Sequence, residues 1–385
     1  MYFLKLIARN SLRHKLRTAL TTLGIVIAVL AFGLLQTVVD AWYAGADAAS
    51  ATRLVTRNAI SLVFPLPITY RDRIRQVDGV RTISYANWFG GVYISERNFF
   101  PQFAIDAKSY FRMYPEIVIP PEQLESFLRD RKGCVVGRKL AQTWGWRVGD
   151  VVPLRGTIYP GTWNFTVRAI YEGRDAATDE VQFFFHWEYL NETLRQSAPR
   201  RADTTGIFVI DIDDADRAAQ ISQAVDATFK NSLAETLTET EKAFQLGFVS
   251  MTEAIVVAIR LVSFLVIVII LAVMANTMAM SARERLSEYA TLKAIGFAPR
   301  FVRRLIFGES ISIALVGSAI GCVLTFPVAR AFAAKMGTLF PVFQVSTQTV
   351  AFQLIAGLVI GVIAAVVPSI RAGRVRIAEG LRAVG

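Results

Sequence analysis

Four stretches of the chain run without a charge for the length of a bilayer crossing: residues 18–39, 261–282, 310–329, and a core near 350–370 inside a longer uncharged run. At about 1.5 Å per residue, such helices reach roughly 30–33 Å, the thickness of the hydrocarbon layer. Four membrane helices are therefore predicted. Between the first two lie about 220 residues of globular texture, enough for one or two folded domains.

Within that middle region the pattern switches between periods. After Asp40 a stalk helix is expected through WYAGADAASATRLV, followed by a strand in ISLVFPLPI. TYRDRIRQVDG reads as a short helix: Ile74 and Val77 share a face, and Asp78-Gly79 closes it. VRTISYANWFGGVYI predicts one or two strands. A strand–helix pair returns late, with GIFVIDI and then DDADRAAQISQAVDATF, whose Ala218, Ile221 and Val225 make one stripe. The stretch between, about residues 100–200, carries GCVVGRKLAQTWGWRVGDVVPL and WNFTVRAIYEG, short β-rich pieces with a Gly149-Asp150 turn. The expectation is a discontinuous α+β module with a β-rich insert. Residues 233–260 read as a helix running unbroken into the second span.

Composition agrees with a membrane protein: 53% of the 385 residues are hydrophobic and the mean hydropathy is +0.40. The net charge of +11 changes the picture through its placement. Residues 1–17, 283–309 and 371–385 hold 15 of the 42 basic and 4 of the 31 acidic residues, which leaves the remainder neutral. Four spans put these three segments on one side, the positive-inside pattern. Both termini and the middle loop are thus expected in the cytoplasm and the large domain outside. Concentration at membrane edges argues against nucleic-acid binding, which needs a basic face on a folded module. Ala44-Gly45-Ala46 resembles a cleavage site, but the first apolar run is longer than a signal h-region, so a retained anchor is expected. The predicted organisation is an amphipathic amino-terminal helix (1–17), spans at 18–40, 254–282, 310–329 and 350–370, an ectodomain at 41–253, cytoplasmic loops at 283–309 and 371–385, and a short outer loop at 330–349. The basic amino-terminal helix, with Arg13, Lys15 and Arg17, is expected on anionic membrane lipid.

Little chemistry is present. There are two histidines, His14 in the basic segment and His186 in FFFHWEYL, and neither has metal-ligand neighbours. Cys134 and Cys322 belong to different phases and are not expected to pair. No HExxH, G-x-S-x-G or G-x-x-x-x-G-K-[ST] occurs, so neither catalysis nor a P-loop is expected, and no cofactor or metal is called for. The spans lack the buried ionisable groups of ion-coupled pumps. Asn276 is expected to bridge two helices, and Gly317, Gly321, Gly357 and Gly361 to allow close helix contact.

The most shaped segment is MSARERLSEYATLKAIGFAPRFVRR, at the foot of the second span. Arg285 and Glu288 are i,i+3 neighbours, as are Tyr289 and Leu292. Lys293 suits a helix carboxy-terminus. Gly296 suits a C′ position with Phe297 at C″, a Schellman stop, and Pro299 suits the start of the next helix.

That segment, extended to ANTMAMSARERLSEYATLKAIGFAPRFVRRLIFGES, resembles the signature of MacB/FtsX-type permeases of ABC transporters, the type VII mechanotransmission family. RNSLRHKLRTALTTLGIVIAV resembles their first span, VVGRKLAQTWGWRVGDVV and FTVRAIYEG their periplasmic core, and VVPSIRAGRVRIAEGLRAVG their carboxy-terminal end, where a Pro closes the last span. The resemblance implies four transmembrane helices with a large α+β periplasmic domain, a porter-like module with an inserted β-rich lobe. It implies a permease homodimer in the inner membrane, driven by a cytoplasmic ABC ATPase subunit. A coupling helix, here residue 283 to about 295, would dock in the ATPase, and stalks would carry motion outward. Arg283, Glu284, Arg285, Glu288, Tyr289, Leu292, Lys293, Gly296 and Phe297 are the expected coupling residues, with Glu284, Glu288, Tyr289 and Lys293 facing or supporting the ATPase contact. Macrolide-exporter relatives carry a fused ATPase ahead of the first span; this chain starts with the span, so a separate ATPase is expected. The implied function is export of a small molecule or lipid with a periplasmic adaptor and an outer-membrane channel. The alternatives are an FtsX-like regulator of cell-wall hydrolases and Lol-like lipoprotein extraction.

Overall fold

The computed structural model describes residues 15–336, 340 and 342–375. The chain divides into two compact units: one made of residues up to 40, 253–335 and from 343 on, the other of residues 41–252 and 336–342.

Four long helices carry the apolar stretches: α1 (Lys15–Ala48), α9 (Glu253–Glu284), α11 (Pro299–Met336) and α12 (Thr347–Arg374). Ile25 and Val29 of α1, Met274 of α9, Ala314 of α11 and Ile360 and Ala364 of α12 share one core. Small residues set the helix spacing. A Cβ on Gly317 would lie 2.8 Å from Ile25 Cγ2, and one on Gly321 3.0 Å from Val29 Cβ, so these two let α11 close on α1. Gly357 and Gly361 do the same for α12 against Ser318 and Ala314 of α11. The Ser310 hydroxyl donates to the Gly361 carbonyl across that contact (2.6 Å). Gly317→Leu should therefore cost about 1–3 kcal/mol by overpacking. Gly247→Ala, on a helix with open space around it, should be neutral or slightly stabilising. Thermal unfolding of the purified chain checks the pair.

Asn276 does not bridge helices. Met274 and Met278 face the core, which turns Asn276 outward, and it makes no hydrogen bond among the described residues. The bridging amide is Gln353, fully buried on α12. Its Nε2 donates to the Val29 carbonyl of α1 and to Thr325 Oγ1 of α11, each at 2.8 Å. Pro368 lies inside α12, which continues to Arg374, so it does not close the last helix. The helix of the third span likewise runs to Met336, well into the stretch read as an outer loop.

The second unit is built on one mixed sheet. In chain order its elements are β1 (Arg53–Asn58), β2 (Leu66–Pro67), α2 (Tyr70–Ile74), β3 (Val80–Trp88), β4 (Gly91–Val92), β5 (Gln102–Ile105), α3 (Tyr110–Met113), β6 (Ile117–Val118), α4 (Pro121–Arg129), β7 (Gly133–Gly137), α5 (Arg138–Trp144), β8 (Val151–Gly156), β9 (Gly161–Gly173), β10 (Phe183–His186), α6 (Trp187–Ser197), β11 (Thr204–Thr205), β12 (Ile207–Ile212), α7 (Ala218–Thr228), β13 (Thr236–Thr240) and α8 (Glu241–Met251). The strand order is β13-β1-β12-β3-β5-β10-β7-β9-β8-β4, with β6 paired to β9; β2 and β11 pair separately. Both faces are covered, so β7 and β10 are buried along their whole length. In β10, Phe183 and Phe185 enter one core with Phe89, Phe165 and Leu190, while Phe184 enters the other with Tyr110, Phe127 and Tyr171.

Residues 100–200 extend this sheet: β5 pairs antiparallel to β3 (Ala86↔Ile105) and parallel to β10. Their strands join those of the flanking module in a single sheet. Two local expectations are overturned. ISLVFPLPI is mostly loop, and the strand is the preceding RLVTRN, which pairs on both sides with β12 and β13. The helix expected over 233–260 is broken: TLTET, alternating and rich in β-branched threonine, forms β13 beside β1. Thr240 then caps α8, its hydroxyl accepting from the Ala243 N–H, and Thr252 separates α8 from α9. Arg53 anchors this region. Its buried guanidinium donates to Glu241 (2.8 Å), Glu116 (2.6 Å) and the Met113 carbonyl (2.8 Å). It also lies 4.3 Å over the Tyr114 ring.

Candidate functional site

The foot of α9 is the segment whose sequence demands a shape, and it has one. The helix ends at Glu284, Arg285 leaves helical geometry (φ −107°, ψ 16°), and a short helix α10 (Leu286–Ala294) follows. Arg283 and Glu284, expected in the coupling helix, are thus the last turn of α9.

The carboxy-terminal stop is a Schellman motif. The Phe297 N–H bonds the Leu292 carbonyl (3.0 Å) and the Gly296 N–H bonds that of Lys293 (3.0 Å). Gly296 has φ +104°, which a side chain resists. Phe297 stacks on Phe301 of the next helix at 4.8 Å, while Leu292 turns to the bundle core. Gly296→Val should cost about 1–2 kcal/mol through strain at positive φ. The stop should loosen, visible as faster amide hydrogen exchange at residues 292–298 than in wild type.

Three side-chain links staple this foot to the other spans. Arg17 of α1 donates to Glu284 (2.5 Å) and to the Ser281 hydroxyl (3.2 Å). Arg285 donates to Glu309 of α11 (2.8 Å) and to Glu288 (3.1 Å), with both Arg285 and Glu309 buried. The Lys293 ammonium donates to the carbonyls of Gly373 and Val375 (2.8 and 2.9 Å), groups left open where α12 ends. Tyr289 is buried under Arg285, whose guanidinium lies 5.5 Å from its ring centre. Burial pushes the Tyr289 hydroxyl up to about 12.

This geometry sorts the expected coupling residues into inward and outward ones. Tyr289 cannot meet a partner, because it is 1% exposed. Lys293 is turned into the foot by the end of α12, while Glu284 and Glu288 hold Arg17 and Arg285 with side chains that stay 43% and 38% exposed. Arg17 is bound to α9, so its charge is not available to lipid; residues 1–14, with Arg13, lie outside the described set. The exposed apolar groups are at the tip, where Ile295 is 71% exposed and Phe297 43%; Arg283, Glu284 and Thr291 are exposed as well. Ile295 is the residue the sequence reading left out. Its signal was an apolar side chain immediately before a stop glycine.

His186 closes β10 and is buried, its Nε2 2.8 Å from the Phe127 carbonyl. Cys134 and Cys322 are free and buried. Among the described residues, no group of three or more His, Cys, Asp or Glu stands where a metal could bind.

Four membrane-length helices, a large mixed α/β domain and a stapled foot define a multi-pass membrane protein with an extramembrane domain. Residues 18–228 match the MacB-like periplasmic core domain, and residues 260–377 match the FtsX-like permease C-terminal. The chain belongs to the MacB/FtsX-type family of ABC transporter permeases, whose members work in an ABC transporter context with an ATPase partner. An uncharacterised ABC transporter permease of Methanocaldococcus jannaschii, MJ1507, is 24% identical over 80% of this chain and 77% of its own length. The ABC transporter permease YtrF of Bacillus subtilis is 40% identical over 53 residues, 14% of this chain and 12% of YtrF. Among solved structures, the periplasmic region of MacB from Actinobacillus actinomycetemcomitans is similar to 52% of the chain, which covers 94% of that structure (7% identity, TM-score 0.38). The extracellular domain of the transporter YknZ from Gram-positive bacteria is similar to 49% of the chain, which covers all of that domain (10% identity, TM-score 0.36).

Proposed function

We propose that this permease is driven by a separate cytoplasmic ATPase docking on the foot, and that it passes the ATPase's motion to the periplasmic domain. One observation carries the reading. The foot is tied by Arg17, Arg285 and Lys293 to α1, α11 and α12, while its tip, Ile295-Gly296-Phe297, is bare. A push on the tip is then felt by every span. In this reading the foot, both termini and the basic loops are cytoplasmic, in keeping with the charge placement. The chain itself is a non-catalytic subunit of the inner membrane.

Two copies work together with two ATPase subunits, and the output is export of a small molecule or lipid through a periplasmic adaptor and an outer-membrane channel. The test is purification of the tagged chain from its native membrane. Recovery of an ATPase and a membrane-fusion adaptor, with ATP turnover faster in the complex than in the isolated ATPase, is the expected result. An ATPase recovered with a cell-wall hydrolase would replace export with regulation, and release of lipoproteins by the complex would replace it with extraction. Recovery of no ATPase at all would remove the whole reading.

A further inference from the structure

We propose that the large domain carries an anion site for a phosphate-bearing ligand, in a cleft of about 590 Å³ at the split edge of its sheet. The split is topological. β5 pairs with β3 only across Ala86–Trp88, and the Asp106 N–H adds one bond to the Tyr85 carbonyl. Over residues 80–85, β3 keeps β12 on one side, and among the described residues no strand pairs with its other edge.

Cations converge on that opening from two directions. Arg71 and Arg75 come from α2 and its end, and Lys108 and Arg112 from the turn and helix after β5. Among the described residues, Arg75, Lys108 and Arg112 have no carboxylate within 4.0 Å. Arg71 meets the exposed Asp72 at 3.2 Å and also bonds the Tyr85 hydroxyl.

The opposing charge is small. Asp106 accepts from the Ser109 hydroxyl and the Lys108 N–H, and Asp211 sits on the floor in register with Arg53. Arg53 is already bound by Glu116 and Glu241 and serves as a fixed wall. Unpaired guanidinium groups facing one space are suited to a group with two negative charges and several acceptors. A phosphate monoester is that group. The cleft is larger than one phosphate, so the group arrives attached to something, either a lipid or a soluble ester. The site is independent of the ATPase reading and can fail alone.

The test uses the full chain in detergent, titrated with glycerol 3-phosphate and with dihexanoyl phosphatidic acid by calorimetry. Saturable binding of at least one is expected. A ten-fold preference for phosphatidic acid marks a lipid source, and equal affinity marks a soluble one. R75E/R112E should weaken binding at least ten-fold, R75Q/R112Q less, and R97E, on an exposed loop outside the cleft, not at all. Absence of saturable binding, an unchanged affinity in R75E/R112E, or an equal loss in R97E overturns the proposal.

Discussion

Replacing Arg285 with methionine should cost the membrane unit about 3–5 kcal/mol, the range for removing one partner of a buried ion pair. Arg285 is 5% exposed and Glu309 6%. The guanidinium holds Glu309 by one nitrogen and Glu288 by another. Without it, the Glu309 carboxylate stays at the edge of an apolar bundle with no hydrogen-bonded cation, only the more distant Arg17, and Tyr289 loses the charge stacked above it. The double variant R285M/E309Q should regain most of the loss, because no uncompensated charge remains. Denaturant or thermal unfolding of both variants checks this; a single-variant cost under about 1 kcal/mol would mean that the pair is solvated and does not hold the foot.

The second large effect concerns coupling and not folding. I295D/F297D places two carboxylates on the exposed tip, where neither original side chain supports the bundle core. Unfolding should shift by no more than about 1.5 kcal/mol, the worth of the Phe297–Phe301 ring contact. Stimulation of the partner ATPase should fall at least thirty-fold, the equivalent of about 2 kcal/mol at an interface hot spot. Tyr289→Arg should show the reverse pattern: the chain fails to fold because a charge enters a fully buried position. If Y289R folds normally and only uncouples, the inward assignment of Tyr289 is wrong.

Much of the architecture was legible because it follows from strong local signals. Membrane-length apolar runs, the short β-branched apolar run of GIFVIDI, and the stripe Ala218–Ile221–Val225 are signals of that kind. The Schellman stop was legible too, since Leu292, Gly296 and Phe297 stand at the motif's spacing. What was not legible depended on partners distant in sequence. RLVTRN becomes a strand only because β12 and β13 lie on either side, and TLTET only because β1 is there to pair with. Asn276 and Gln353 are both uncharged amides in apolar runs. Only the packing phase, set by Met274 and Met278 for one and by Gly357, against Ser318, for the other, says which faces inward. The ties inside the foot were hidden for the same reason. A charged residue after a span reads as a surface contact, but Glu284, Arg285 and Lys293 meet Arg17, Glu309 and the end of α12, partners up to 267 positions away.

The central claim, that an ATPase seats on the tip of this foot, is tested most directly by photo-crosslinking in native membranes. A photoreactive amino acid at position 295 should capture the ATPase subunit, with the yield changing when a non-hydrolysable ATP analogue is added. The same probe at position 276, on the outward face of α9, should capture none. Equal capture from both positions, or capture from neither, would contradict the account.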